Sequence, residues 1–125
     1  MNTAYRVWDG EQMHYWDDKG VNLVFQDNGR WSLWQGYGDR CVASSNDGKS
    51  VLMWGIGLKD KYDKDIYDKD IDMTADEPMI VIYKDGHYGL KFPSEIGYMD
   101  TCVYWGECDI AGNVYENPEL LEGAE

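Results

Sequence analysis

Met79-Ile80-Val81-Ile82-Tyr83-Lys84-Asp85-Gly86-His87-Tyr88-Gly89-Leu90-Lys91-Phe92 is the stretch that decides the fold. Its first five residues are apolar without a break. Asp85-Gly86 then favours the left-handed backbone of a tight two-residue turn, and strand-forming residues resume at His87. An antiparallel hairpin is the expectation. Ile80 and Ile82 fall on one face of the first strand, Val81 and Tyr83 on the other. A strand apolar on both faces belongs inside a sheet rather than at its edge, which predicts that Ile82 is buried.

The same signals recur along the chain. Asp9-Gly10, Asn28-Gly29 and Asp47-Gly48 repeat the turn dipeptide, and between them apolar residues alternate: Tyr5 and Val7, Met13 and Tyr15, Val21, Leu23 and Phe25, Trp31 and Leu33, Val51 and Met53. Period two is the strand signature. It predicts a hairpin over 5–16 and strands over 21–26, 30–35, 40–44, 50–56, 70–74, 79–84, 87–92, 101–105 and 108–115, the spacing of a small barrel or sandwich. One or two short helices are added: a turn from Ser94 through Tyr98, and a turn opened by Asn117-Pro118-Glu119, where proline suits the first helical position. Residues 59–77 are the one shift in composition, because aspartates and lysines alternate there with isolated apolar residues, and the aspartate run within them reads as a solvated charged loop. A seam at or just before this segment divides the chain into an N-terminal β-hairpin region, 1–50, and a C-terminal domain, 51–125.

With 125 residues, 24 acids against 11 bases give a net charge of −13. Such a field repels phosphate backbones and anionic lipid, so neither nucleic acid nor a membrane is an expected partner. No apolar run is long enough to span a bilayer, and the opening residues lack the pattern of a signal peptide. A cytoplasmic protein is expected, with Cys41, Cys102 and Cys108 as reduced thiols.

The order Gly57-Leu58-Lys59-Asp60-Lys61, Ile66-Tyr67-Asp68-Lys69-Asp70-Ile71, Lys84-Asp85-Gly86, Tyr88-Gly89-Leu90 and the closing Gly112-Asn113-Val114-Tyr115-Glu116-Asn117-Pro118-Glu119-Leu120-Leu121 resembles the YopX family of phage and prophage proteins. The resemblance covers residues 51–122 best and Tyr5-Arg6-Val7-Trp8-Asp9 less fully. It implies an SH3-like small β barrel for the C-terminal half and a bacteriophage or prophage origin, with no established biochemical activity. The chain departs from the family at two turns. Asp63 stands where the family has the glycine of its Asn-Gly-Lys loop, and Lys69 where it has the glycine of Glu-Gly-Asp-Ile.

No motif points firmly to catalysis. Ala43 to Ser50 loosely resembles a phosphate-binding loop, but Val51-Leu52-Met53-Trp54 follows as a strand where that loop needs a helix, so an Asp-Gly hairpin turn is the reading. Gly36-Tyr37-Gly38 lacks the third glycine of a dinucleotide fingerprint. Cys102 and Cys108 are too widely spaced for a zinc knuckle, and no aspartate from Asp60 on opens a calcium loop. His14 and His87 read as surface or rim histidines. No cofactor and no metal is expected, and the protein is read as no enzyme. Paired carboxylates of a glycoside-cleaving type are too common among so many acids to argue from.

Six tryptophans and ten tyrosines are the excess that asks for a function. One small core cannot hold them all, so some are expected at the surface, where aromatics mark protein interfaces and, less often, sugar-stacking platforms. Trp8, Trp16, Trp31, Trp34, Tyr37, Tyr62 and Tyr67 are the candidate contact residues. The resulting reading is a non-catalytic protein-binding or self-assembling module, with a host or phage protein or a second copy as partner. The alternatives are an acidic decoy of a nucleic-acid-binding protein and a carbohydrate-binding or glycoside-cleaving protein.

Overall fold

The computed structural model describes residues 4–75, 77–93 and 103–122. The chain is mainly β, as its alternation predicts, and it gathers into two compact units, Ala4–Trp54 and the chain from Gly55 onward. Among the described residues every strand pair is antiparallel.

In the first unit, β1 (Tyr5–Trp8) pairs with β2 (Met13–Tyr15) across the Asp9-Gly10 turn, and on its other side with the start of β6 (Val51–Lys59), Val7 facing Leu52. β3 (Asn22–Phe25), β4 (Trp31–Gln35) and β5 (Arg40–Ser44) form a second sheet in that order. Asn28 and Gly29, with φ of 64° and 75°, make the left-handed turn between β3 and β4. Val7, Trp31, Leu33 and Ala43 are buried together, and Tyr5, Val21, Leu23, Val42 and Leu52 pack on them. Burying a side chain such as Val7 or Leu33 stabilises by about 1.5–3 kcal/mol.

Asp47-Gly48 turns the chain without making a hairpin, because β5 pairs with β4 and β6 pairs with β1. Asp47 braces the turn: Oδ1 accepts the N–H of Lys49 and Ser50, and Oδ2 accepts the Ser44 N–H and the Ser50 hydroxyl.

In the second unit β7 (Asp65–Tyr67) pairs with the end of β6. β8 (Asp70–Asp72), β9 (Met79–Lys84), β10 (His87–Lys91) and β11 (Ile110–Asn113) form a sheet ordered β10-β9-β8-β11. β9 is internal, as its two apolar faces predict, and turns at Asp85-Gly86 into β10. Of its residues only Val81 is fully buried, and Tyr83 on the same face is 57% exposed. Ile82 is half-buried, so the expectation of a buried Ile82 is corrected: it lies opposite Gly89, which has no side chain to cover it. Ile66, Val81, Leu90, Cys108 and Ile110 make this core.

The reading of the aspartate run as a solvated loop is corrected. β8 falls within the strand expected over 70–74, but the run also contains β7, and Asp60, Asp70 and Asp72 are buried. Each carboxylate accepts backbone donors that the turns leave over, Asp60 from Tyr62, Lys64 and Ile110, Asp70 from Tyr67, Asp72 from Thr74 and Asp109. A buried N–H without a partner is costly, so these side chains serve as ligands for the backbone. Among the described residues the only helical pieces are short 3-10 turns at Asp27–Gly29, Trp105–Glu107 and Pro118–Leu121. The helix expected after Asn117 is thus a single 3-10 turn. The strand expected over 101–105 gives way, in its described part, to the Trp105–Glu107 turn, and the Ser94–Tyr98 helix lies outside the described residues. No helix among the described residues is long and apolar enough to cross a membrane.

Candidate functional site

The seven aromatic candidates separate once they are placed. Trp31 and Tyr67 are buried and leave the set of contact residues, since each fills a core position of its strand. Trp8 and Trp16 are half-buried in the first unit. Tyr62 is 61% exposed in the second unit, where Lys61 and Lys64 approach its ring at 5.1 and 5.9 Å. Trp34 lies on β4 of the β3-β4-β5 sheet, where it lines a groove that is the candidate site, and Tyr37 lies outside that lining, in the turn that follows β4.

Strand alternation divides that sheet. Leu23, Phe25, Trp31, Leu33 and Ala43 face the core side, while Asn22, Val24, Ser32 and Trp34 face outward, paired across strands as Asn22 opposite Trp34 and Val24 opposite Ser32. These four, with Gln26 and Gly38, line a groove of about 350 Å³. The Trp34 indole N–H donates to Ser32 Oγ at 3.0 Å, tying the ring along its own strand and covering Ser32, which is buried. At the groove's end the β4–β5 turn runs through Gly36, Tyr37 and Gly38 with φ of 64°, 59° and 91°. A tyrosine is a poor occupant of that region, and strain of this kind concentrates at functional positions. Tyr37 is held there by its N–H donating to Gly20 O at 3.3 Å, and its side chain is 76% exposed.

Sequence reasoning missed the exposed edge of this sheet, on which Val24 faces the groove and Phe25 the opposite side. Val24 is 37% and Phe25 56% exposed on β3, an edge strand of the sheet. Phe25 stacks on Trp54 with centroids 6.0 Å apart, and Tyr5 meets Trp54 edge-on. The signal was available: Asn22-Leu23-Val24-Phe25 is apolar at three consecutive positions, which alternation cannot bury on one face.

His14 is a correction as well, for it is buried, not at the rim. One ring nitrogen, Nε2, lies 2.8 Å from Asp9 Oδ2, and the other, Nδ1, lies 2.9 Å from Gln35 Nε2. Asp9 Oδ1 also accepts the N–H groups of Glu11 and Gln12. Burial alone would raise the Asp9 pKa, but these donors and His14 outweigh it and hold the carboxyl below its ordinary value. An aspartate-histidine pair suggests base catalysis, yet the nitrogen a nucleophile would use is taken by Gln35. The trio fastens the β1–β2 turn to the end of β4.

Burial pushes the Cys108 thiol up to about 12, with the Asp72, Asp60 and Glu107 carboxylates adding to the shift, so it is a thiol and not a nucleophile at neutral pH. Among the described residues no group of three or more His, Cys, Asp or Glu side chains is placed to hold a metal ion.

The YopX protein family matches residues 4–122. The chain is 41% identical to the SPbeta prophage-derived uncharacterized protein YopX of Bacillus subtilis (strain 168) over 137 aligned residues that cover 100% of both. The solved structure of protein yopX from Bacillus subtilis is similar with a TM-score of 0.74 and 38% identity, covering 98% of this chain and 100% of that one. A protein from Enterococcus faecalis shares the fold with a TM-score of 0.63 at 22% identity, covering 98% of this chain and 99% of that one.

Proposed function

The chain belongs to the YopX family, and we propose that it is a phage- or prophage-derived accessory protein of the bacterial cytoplasm that works as a non-catalytic docking module. One observation carries the reading: β3 is an uncharged edge strand with Val24 and Phe25 exposed on it. Edge strands that must stay single are blunted with lysine, proline or a bulge. This one has none of these, which suits the addition of a strand from a partner, either a second copy or a host or phage protein. In the unit from Gly55 onward, the four-stranded sheet and the β6–β7 ladder support reading that unit as the small SH3-like barrel the family resemblance implies. The acidic-decoy alternative draws less support, since Asp60, Asp70 and Asp72 are turned inward to backbone donors.

Light scattering on the full chain and on Phe25→Lys tests the proposal, alongside recovery of bound proteins from lysogenic cells. The expected outcome is a parent mass that is a multiple of the 14.4 kDa chain, or one protein recovered in stoichiometric amount, with either lost in Phe25→Lys. A monomeric parent that recovers no protein refutes it, as does a complex that Phe25→Lys leaves intact.

A further inference from the structure

The outward groove of the β3-β4-β5 sheet stands out by its lack of charge. On a protein with a net charge of −13, none of its lining residues, Asn22, Val24, Gln26, Ser32, Trp34 and Gly38, is charged. A cation would find no carboxylate among them, and an anion no ammonium or guanidinium. What they offer is one aromatic ring and two carboxamides. The Trp34 ring is fixed in advance by its hydrogen bond to Ser32, so little rotamer freedom is lost when something packs on it. The side-chain amides of Asn22 and Gln26, both on exposed residues, make no hydrogen bond among the described residues, and each supplies a carbonyl acceptor and two N–H donors.

From this combination we infer that the groove binds a neutral carbohydrate, a function separate from docking at the β3 edge. A pyranose has one face of C–H groups with slight positive charge, which suits the electron-rich face of an indole. Its rim of hydroxyls both donates and accepts, as the two carboxamides do. The volume of about 350 Å³ is at the small end of ligand sites, which suits one or two sugar rings. A protein side chain would need only the apolar part of this lining and would leave the amides to water.

The test uses the full chain with three neutral probes that differ in linkage and in acetamido groups: cellotriose, maltotriose and the β-linked trimer of N-acetylglucosamine. Binding is read by isothermal calorimetry and by saturation-transfer NMR. At least one probe is expected to bind with a Kd of about 1 mM or tighter, the range of a shallow single-ring site. The affinity should not change between low and high salt, because neither partner group is charged. Asn22→Ala and Gln26→Ala should each weaken it several-fold, and Trp34→Ala should abolish it. Because Asn22 and Gln26 are exposed, their variants keep the test valid even where Trp34→Ala disturbs the sheet. The inference is overturned if no probe binds, or if a probe binds Asn22→Ala and Gln26→Ala as well as the parent. Phe25→Lys, which refutes or supports edge docking, is expected to leave sugar binding unchanged.

Discussion

Lys69 has φ of 72° in the turn between β7 and β8, with its backbone pinned on both sides. Its N–H donates to Val81 O at 2.8 Å and its carbonyl accepts the Val114 N–H at 3.1 Å, so the residue cannot relax out of the left-handed region without breaking contacts to two other segments. An L-residue there costs roughly 1–2 kcal/mol. Glycine escapes that cost but adds about 0.4–1 kcal/mol of unfolded-chain entropy. The Lys69–Asp68 ion pair at 3.6 Å is partly exposed and is worth about 0–1 kcal/mol. Lys69→Ala loses the pair and keeps the strain, whereas Lys69→Gly loses the pair and the strain. Glycine should therefore be the more stable of the two variants by about 0.5–1 kcal/mol, near the parent or above it, and Asp63→Gly, at φ of 64°, should behave alike with a smaller gain because aspartate tolerates this region better. Urea melts of the parent, Lys69→Gly and Lys69→Ala measure the order. At an ordinary strand or helix position glycine is the less stable, so finding alanine above glycine refutes the reasoning.

Ile71 is fully buried, and Ile71→Ala should cost about 2–5 kcal/mol in a denaturant melt, with the half-buried Ile82→Ala costing distinctly less. Gly112→Ala should prevent stable folding or sharply lower the melting temperature, since a Cβ there would come within 2.9 Å of the Asn117 Cβ and run into the amide that accepts the Asn113 N–H. Acid should unfold the protein with a definite sign. Burial alone would raise the Asp60 pKa, but the Lys64, Tyr62 and Ile110 N–H groups and the Lys64 ammonium hold it below its ordinary 3.8, as Asp9 is held and Asp47 is by Ser50, Lys49 and Ser44. Carboxyls depressed in the folded state contribute stability above their unfolded pKa and lose it as pH falls through the folded values. Melting temperatures should thus be flat at neutral pH and drop below about pH 4, with a shallower drop in Asp60→Asn.

The strands were legible where turn chemistry and period-two alternation agree, as in β9 and β10, whose Asp85-Gly86 turn has φ of 53° and 89°. The same dipeptide misleads at Asp47-Gly48, because it specifies a local reversal and says nothing of which strands pair. β7 was hidden by its setting, three residues with Asp65 at one end and Asp68 just beyond the other. A run of aspartates reads as solvated until the backbone donors they serve are known, and those of Asp60 and Asp72 come from residues as far on as Ile110 and Asp109. The Asp9–His14–Gln35 trio has the same cause, since Gln35 is 21 residues from His14. Trp34 and Tyr37 were legible as a surplus of aromatics. Their company was not, because Asn22 and Gln26 become neighbours of Trp34 only through the β3–β4 register.

Charge then separates the readings that this surface allows. Two copies that each carry −13 repel, so self-association at the β3 edge should strengthen as salt is added, up to the point where screening over about 8 Å removes the repulsion. A basic protein partner would show the reverse, because its attraction is screened by the same ions. Binding in the uncharged groove should follow neither course. Duplex DNA should not bind at physiological salt at all, and micromolar binding that weakens steeply with salt would mean that a local basic surface outweighs the net field. A single salt series on the full chain thus distinguishes a second copy, a basic partner and a neutral ligand by the sign of one slope.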